Sequence, residues 1–544
     1  MKHYLGVDVG TGSARAGLFD ANGTLKGSGV CAIETLRPAP DFAQQRSAEI
    51  WTSVCAATRE ALAEAGVTPG SVAGVGFDAT CSLVVSGEND APVTVSPEGE
   101  EDQDVILWMD HRAMGDAEEI NAIGGEPLEY VGGRISPEME LPKLRWLKRE
   151  LPESWSVARR FWDLPDWLVH RATGEETRSL CSTVCKWTYL GHKGLHGEGW
   201  DDGFLETIGL GDLAEAGHAA IGQSLAEPGA PCGTLTEQAA SEMGLLPGTS
   251  VAASLIDAHA GAVGTLGVAL GNGDITTRLA IIAGTSTCHI GLTEEPVFVP
   301  GVWGPYFGVV LKEYWALEGG QSAAGALIDA VIARHAAAAP LEAEAKGQGK
   351  RITDLLDARL TTLAEETATL TADRHVQPDF HGNRSPLAEP WRRGAISGLS
   401  LESGPDDLAL DYLATVQALA YGTRHIIDEM RNAGARFDTL VMSGGLAKNT
   451  LFLRETADAT GCTIVVPDQR EPVLLGSAML GSVAAGDFES VRSAMTAMCG
   501  QGATVAPRGG DIAAYHDRKY RVFRRMQDDY AAYRTLMARE ETDR

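Results

Sequence analysis

The sequence predicts an α/β protein of two related domains facing a shared cleft, and three observations carry the prediction. Gly10-Thr11-Gly12-Ser13 joins two strand-like runs, residues 4–9 and 14–19. Gly284-Thr285-Ser286-Thr287 joins a second pair, 279–283 and 288–292, an echo that suggests two domains of one ancestral design, each with a phosphate-sized turn. A strand at 440–442 then runs through Ser443-Gly444-Gly445 into a helix, the strand–glycine–helix order of α/β proteins. At 544 residues the chain exceeds one ordinary core, and roughly two to four domains are expected.

Composition narrows the functional class. Hydrophobic residues make up 44% and charged residues 22%, as in a well-buried globular protein. A formal net charge of −29 argues against a nucleic-acid or anionic-membrane surface, which needs clustered Lys and Arg. Any anionic ligand must then be held by local devices, backbone N–H groups or a metal ion. Nine cysteines, scattered from Cys31 to Cys499, fit reduced thiols of a cytosolic protein. Cys181 and Cys185 lie four apart with no second pair nearby, and are read as buried thiols rather than a zinc site. Met1 to Leu5 runs straight into a strand without a signal-peptide core, and no run of about twenty apolar residues occurs, so a cytoplasmic location is expected.

Taken in order, the first hairpin places Asp8 at a strand end beside the Gly/Thr/Ser turn. There it can hold Mg²⁺ through a water, or serve as an ordinary hairpin carboxylate. A helix is predicted from Ser47 to about Ala65, stopped by Gly66, followed by a strand from Val72 to Phe77. That strand ends in Asp78, Thr80 and Ser82, polar groups that line a site or form one face of an alternating strand. Residues 86–104, with seven carboxylates and no Lys or Arg, read as a solvated loop. Val105 to Met109 is predicted as a strand leading to Asp110-His111-Arg112, which suits hydroxyl recognition or an ion pair. Lys186 sits among apolar and aromatic neighbours, either reaching outward or orienting substrate oxygens.

The stretch 251–264, V-A-A-S-L-I-D-A-H-A-G-A-V-G, delivers one carboxylate, Asp257, into small residues that allow close approach. Asp257 is either a helix cap or a general base. The Gly-rich segment 267–273 marks a domain boundary, giving domains 1–268 and 269–544. Beyond the second Gly/Thr turn, 309–311 and 314–317 are predicted as a hairpin ending in Glu318-Gly319-Gly320. Residues 378–386, P-D-F-H-G-N-R-S-P, form a polar loop, and Pro405 opens a long helix that stops before Gly434. Gly444-Gly445 lets backbone approach a nucleotide, with Asn449 in the next helix's first turn. A Gly/Ala helix over 475–486 and a polar surface helix over 511–540 close the chain.

Over nearly its whole length the chain resembles the FGGY family of carbohydrate kinases, α/β proteins of two actin-like (ribonuclease-H-like) ATPase domains with an interdomain cleft. The resemblance implies that Asp8, Gly10, Thr11, Ser13 and Arg15 form the first phosphate loop, Asp8 holding Mg²⁺. It implies a second phosphate loop at Gly284, Thr285 and Ser286, an adenosine motif at Gly444, Gly445 and Asn449, and a loop beside the transferred phosphate at Gly382 and Asn383. Asp257 matches the family's catalytic Asp. Residues 143–147 and 394–399 fit family patterns, with Glu140 and Asp411 as departures. Thr80-Cys81-Ser82 and the Cys-Lys-Trp around Lys186 are similar to D-ribulose kinases. Lys186, Asp257 and Glu318 match a sugar site shared with the L-ribulokinase subgroup, and Asp110 joins the expected sugar contacts. The implied activity is ATP- and Mg²⁺-dependent phosphorylation of a pentulose, most consistent with D-ribulose, by a homodimer that binds only small molecules. L-ribulose, ribitol, or an actin-like ATPase without sugar transfer are the alternatives.

Overall fold

The computed structural model describes residues 2–270 and 273–538, so part of the Gly-rich boundary segment and the end of the last predicted helix lie outside the described residues. The chain forms two compact units, each discontinuous in sequence. The first comprises Met1–Thr276, Ile290–Leu317 and Pro467–Gly502; the second comprises Thr277–His289, Glu318–Val466 and Ala503–Arg544.

In the first unit, strand His3–Val9 is buried along its whole length. It pairs antiparallel with Ser13–Asp20, which pairs antiparallel with Leu25–Ala32. Its other edge pairs parallel with Val72–Ala79, to which Ser250–Ala252 and Leu255–Ile256 add in parallel. A fully buried central strand needs cover on both faces, which explains its continuous apolar run. Helix Ser47–Ala65 ends at Gly66 in the left-handed conformation (φ 62°) and packs on Leu25–Ala32. A Cβ on Gly29 would stand 2.1 Å from the Ala57 carbonyl oxygen.

Helix Pro472–Ala484 lies on the same sheet through backbone-to-backbone contact. A Cβ on Gly6, Gly74 or Gly76 would stand 1.9, 2.0 and 1.9 Å from carbonyl oxygens of Leu474, Gly481 and Ser477 respectively. The same helix meets helix Asp257–Leu266 at Gly264 and Gly476, where added Cβ atoms would reach Pro472 and Ala260 oxygens at 1.8 and 2.0 Å. Small residues are required here because the helices approach more closely than any side chain permits.

A second seven-stranded sheet repeats the strand order of the first. Trp315–Gln321, Thr287–Thr293, Arg278–Ala283, Thr439–Ser443 and Thr463–Pro467 follow one another across it. They correspond in order to Leu25–Ala32, Ser13–Asp20, His3–Val9, Val72–Ala79 and Ser250–Ala252 of the first. Arg278–Ala283, Thr439–Ser443 and Thr463–Pro467 run parallel. Helix Pro405–Asn432 opens on its proline as expected. Helix Gly510–Met537 is no purely polar surface helix: Tyr520 and Phe523 cluster with Tyr421 and Ala459 of the second unit.

Three further expectations are corrected. The run 105–109 is a strand only at Val105–Ile106, and a turn carries the chain to Asp110. The predicted hairpin over 309–317 has Trp303–Phe307 as its first arm, 309–311 being turn, and Glu318 lies inside strand Trp315–Gln321. The acidic stretch 86–104 is not wholly solvated: Asp104 is buried and accepts from the Ser47 N–H at 2.8 Å, because the open N–H groups of a helix start attract a carboxylate. Among the described residues no helix is long and apolar enough to cross a membrane.

Candidate active site

The register of the first sheet sets Asp8 beside Asp78 and brings Asp257 to the neighbouring strand end. Asp8 stands opposite Arg15 in one neighbouring strand and beside Asp78 in the other, while Leu255 pairs with Asp78 two residues before Asp257. Ends of parallel strands at which helices begin are where α/β sheets gather functional groups. Asp8 and Asp78 are buried, whereas Asp257, first residue of helix Asp257–Leu266, is half-exposed. Its Oδ1 accepts from the Ala258 N–H at 2.7 Å, so it both lies at the helix start and presents a carboxylate. Burial, then the charges on Asp8 and Asp257, pushes Asp78 well above the usual carboxylate range, and Ser477 Oγ donates to it. Arg15 Nη2 donates to Asp8 and its Nη1 to Glu471 at 3.1 Å, which offsets part of the negative charge.

The turn at Gly10–Ser13 is closed by the Gly10 N–H donating to the Ser13 carbonyl at 3.0 Å, and Gly12 is exposed with open space around it. Thr11 Oγ1 accepts from Trp108 Nε1 at 3.0 Å. The Trp108 N–H donates to Ser82 Oγ at 3.2 Å, and Thr80 Oγ1 stands 3.2 Å from the same oxygen. Thr11, Thr80 and Ser82 are thus linked through a tryptophan that the sequence reading did not single out, with Cys81 buried between them.

Lys186 lies near the end of helix Leu180–Trp187, only 3% exposed, its Nζ 4.4 Å from the Trp303 ring centroid. It does not reach outward. The helix is fixed at its start by Asp166, which accepts from Ser179 N–H at 2.7 Å, Ser182 Oγ at 2.7 Å and Ser254 Oγ at 3.2 Å. Asp166 therefore ties the Lys186 helix to the segment leading into Asp257. A buried ion pair, Lys143 to Glu140 at 3.2 Å, explains the departure at Glu140, whose carboxyl burial pushes up to about 7. The departure at Asp411 likewise answers to Arg374, 2.8 Å away.

Asp110 is fully buried and spent within the protein. Its oxygens accept from Arg112 Nε at 2.8 Å and Nη2 at 2.7 Å, from the Arg112 N–H at 3.0 Å and from the Ala43 N–H at 2.6 Å. The ion-pair alternative describes this geometry.

In the second unit, Gly284 and Thr285 are exposed, and the turn closes from the Gly284 N–H to the Ser286 carbonyl at 2.9 Å. Gly444 packs against the strand leading into that turn: its φ is 93°, and a Cβ there would stand 2.4 Å from the Ala283 carbonyl oxygen. The two predicted nucleotide loops are thereby brought together, with Gly445 open beside them. Asn449 is buried, its Oδ1 accepting from the Phe452 N–H at 2.9 Å and its Nδ2 donating to Tyr412 Oη at 2.6 Å, so its side chain shapes the loop rather than projecting from it. Asn383 also works locally, donating to Asp379 at 2.9 Å and accepting from the Leu387 N–H at 3.1 Å, next to Gly382 at φ 74°. Glu318 is buried within its strand.

Comparison with known proteins identifies the family and the fold. The chain matches the N-terminal domain of the FGGY family of carbohydrate kinases over residues 3–264 and the C-terminal domain over 279–485. It is 46% identical to a human FGGY carbohydrate kinase domain-containing protein over 98% of both chains. It is 42% identical to a D-ribulokinase of Saccharomyces cerevisiae over 91% of this chain and 73% of the yeast protein. A ligand-bound xylulose kinase from Lactobacillus acidophilus superposes with a TM-score of 0.80 at 17% identity, covering 99% of this chain and 100% of that one. That likeness fixes the fold as two actin-like, ribonuclease-H-like α/β domains.

Proposed function

The chain belongs to the FGGY family of carbohydrate kinases, phosphotransferases acting on a sugar hydroxyl, and from that premise we propose that it carries the γ-phosphoryl group of ATP to the terminal hydroxyl of D-ribulose, giving D-ribulose 5-phosphate. The choice of sugar is supported by 42% identity to the yeast D-ribulokinase. The observation that carries the chemistry is the trio Asp8, Asp78 and Asp257 at neighbouring strand ends, with Asp257 the most exposed of the three.

In this reading Asp257 accepts the proton of the attacking hydroxyl. A positioned general base contributes about 10²–10⁴-fold. The donor set fits a hard divalent ion, since buried Asp8 offers carboxylate oxygens beside an open glycine turn. Asp8 would hold Mg²⁺, which when bound neutralises charge on the transferring phosphoryl group. Arg15 keeps Asp8 oriented, and the N–H groups of Thr11 and Gly12 and of Thr285 and Ser286, between the bonds that close the two turns, supply donors to phosphate oxygens. Gly444 and Gly445 admit the nucleotide backbone-first, with Asn449 and the Gly382–Asn383 loop holding their segments in shape. Lys186, Glu318 and the Thr80–Ser82 segment orient sugar oxygens, and Asp110 acts from behind by fixing the chain at Ala43 and Arg112.

The test is an ADP-release assay with D-ribulose, L-ribulose, D-xylulose and ribitol. The reading expects sugar-stimulated turnover with the highest kcat/KM for D-ribulose. ATP hydrolysis indifferent to every sugar would refute it, and preference for L-ribulose or ribitol would reassign the substrate within the family. A site that hydrogen-bonds each hydroxyl discriminates strongly when one is inverted.

A further inference from the structure

The fold assembles a second cluster of chemically active side chains that phosphoryl transfer does not use. Cys181 and Cys185 lie one helical turn apart, so both thiols share one face of helix Leu180–Trp187. His259 arrives from the first turn of helix Asp257–Leu266, 74 residues beyond Cys185. All three residues are completely buried, and their donor atoms lie within 4.8 Å of one another. Sequence spacing offered only two sulfurs; the packing of the helices adds the nitrogen.

We propose that Cys181, Cys185 and His259 bind a thiophilic d¹⁰ cation, Zn(II) or Cu(I). Cys185 Sγ stands 3.7 Å from His259 Nε2. Metal–sulfur and metal–nitrogen bonds of about 2.3 and 2.0–2.1 Å, at angles between tetrahedral and trigonal, place S and N about 3.6–3.8 Å apart. Thiolate and imidazole donors select these soft ions over Mg²⁺. Two thiolates and a neutral imidazole around Zn(II) carry no net charge, so a fully buried site avoids the penalty of an isolated ion. The site is structural: it fastens the helix carrying Lys186 to the helix that begins at Asp257, and it holds whether or not the sugar assignment does.

The full-length chain, reduced and stripped of metal, is dialysed against chelator-buffered Zn(II) and, separately, Cu(I), and bound metal is counted by mass spectrometry. One equivalent of either ion is expected on the wild type, with that equivalent lost in Cys185→Ser, and the two dialyses tell the ions apart. Co(II) added to the wild type reads sulfur ligation directly through a thiolate-to-cobalt charge-transfer band. Equal metal on wild type and Cys185→Ser overturns the proposal. So does a wild type that holds neither ion and gives no cobalt band, which leaves a thiol–imidazole hydrogen bond only. Should the serine variant fail to fold, the wild type decides alone: one equivalent of either ion or a cobalt band supports the site, and the absence of both overturns it.

Discussion

Replacing Asp166 probes how the site is held together. One buried carboxylate accepts from Ser179, Ser182 and Ser254 and is the largest charge offsetting the burial of Arg178. Each buried donor left without an acceptor costs about 1–3 kcal/mol, and an orphaned buried charge about 3–5. Because all four partners share one group, the losses overlap, and Asp166→Ala is expected to destabilise by ~4–5 kcal/mol, the upper range for one substitution. Asp166→Asn keeps an oxygen for Ser179 and Ser254, while Ser182 can turn its hydroxyl to the Ser179 carbonyl at 3.2 Å. Its expected cost is ~2 kcal/mol, mostly from Arg178. Urea unfolding measures both. The alanine variant should also lose kcat/KM by about 10²-fold, since small misplacements of positioning groups cost that much. Alanine and asparagine variants of equal stability, or an alanine variant within about 1 kcal/mol of wild type, would refute the reasoning.

Gly76→Ala should be strongly destabilising, about 3 kcal/mol or more, because its Cβ would stand 1.9 Å from the Ser477 carbonyl; Gly115→Ala, exposed in a helix with open space around it, should stabilise by ~0.5–1 kcal/mol, and thermal melts compare the two. Burial pushes the Asp104 carboxyl up to about 6, above its unfolded value of about 3.9, so the native state binds the extra proton between those values. Its contribution is therefore full below about pH 4 and lost as pH rises through about 6, a fall of up to ~3 kcal/mol that Asp104→Asn should abolish in urea midpoints measured from pH 4 to 7. A profile unchanged in that variant would contradict the assignment.

What the sequence made legible was local. The hairpin at Asp8–Arg15 and its echo at Gly284–Ser286 declare themselves through turn residues, as helix Ser47–Ala65 does through Gly66 and helix Pro405–Asn432 through its proline. Such signals depend on neighbours along the chain. Helix Pro472–Ala484 read correctly as Gly/Ala-rich, but its seat on Gly6, Gly74 and Gly76 is a tertiary contact between segments far apart in sequence. The same holds for the partners of Glu140 and Asp411, and for Asp104 inside an otherwise acidic loop: a buried carboxylate looks like a solvated one until its donor is known. At the site, strand ends pointed to Asp8, Asp78 and Asp257, whereas Asp166, Trp108 and Trp303 entered only with the fold. His259 stood two residues from Asp257 and carried no signal of its own until two cysteines packed against it.

The half-exposed carboxylate at the start of helix Asp257–Leu266 is the group proposed to take the proton from the sugar. Single-turnover and steady-state kcat of Asp257→Asn with saturating D-ribulose and ATP test that role most directly. A fall of about 10²–10⁴-fold is expected, with folding and sugar binding retained. A folded variant that keeps more than about a tenth of wild-type turnover would contradict it.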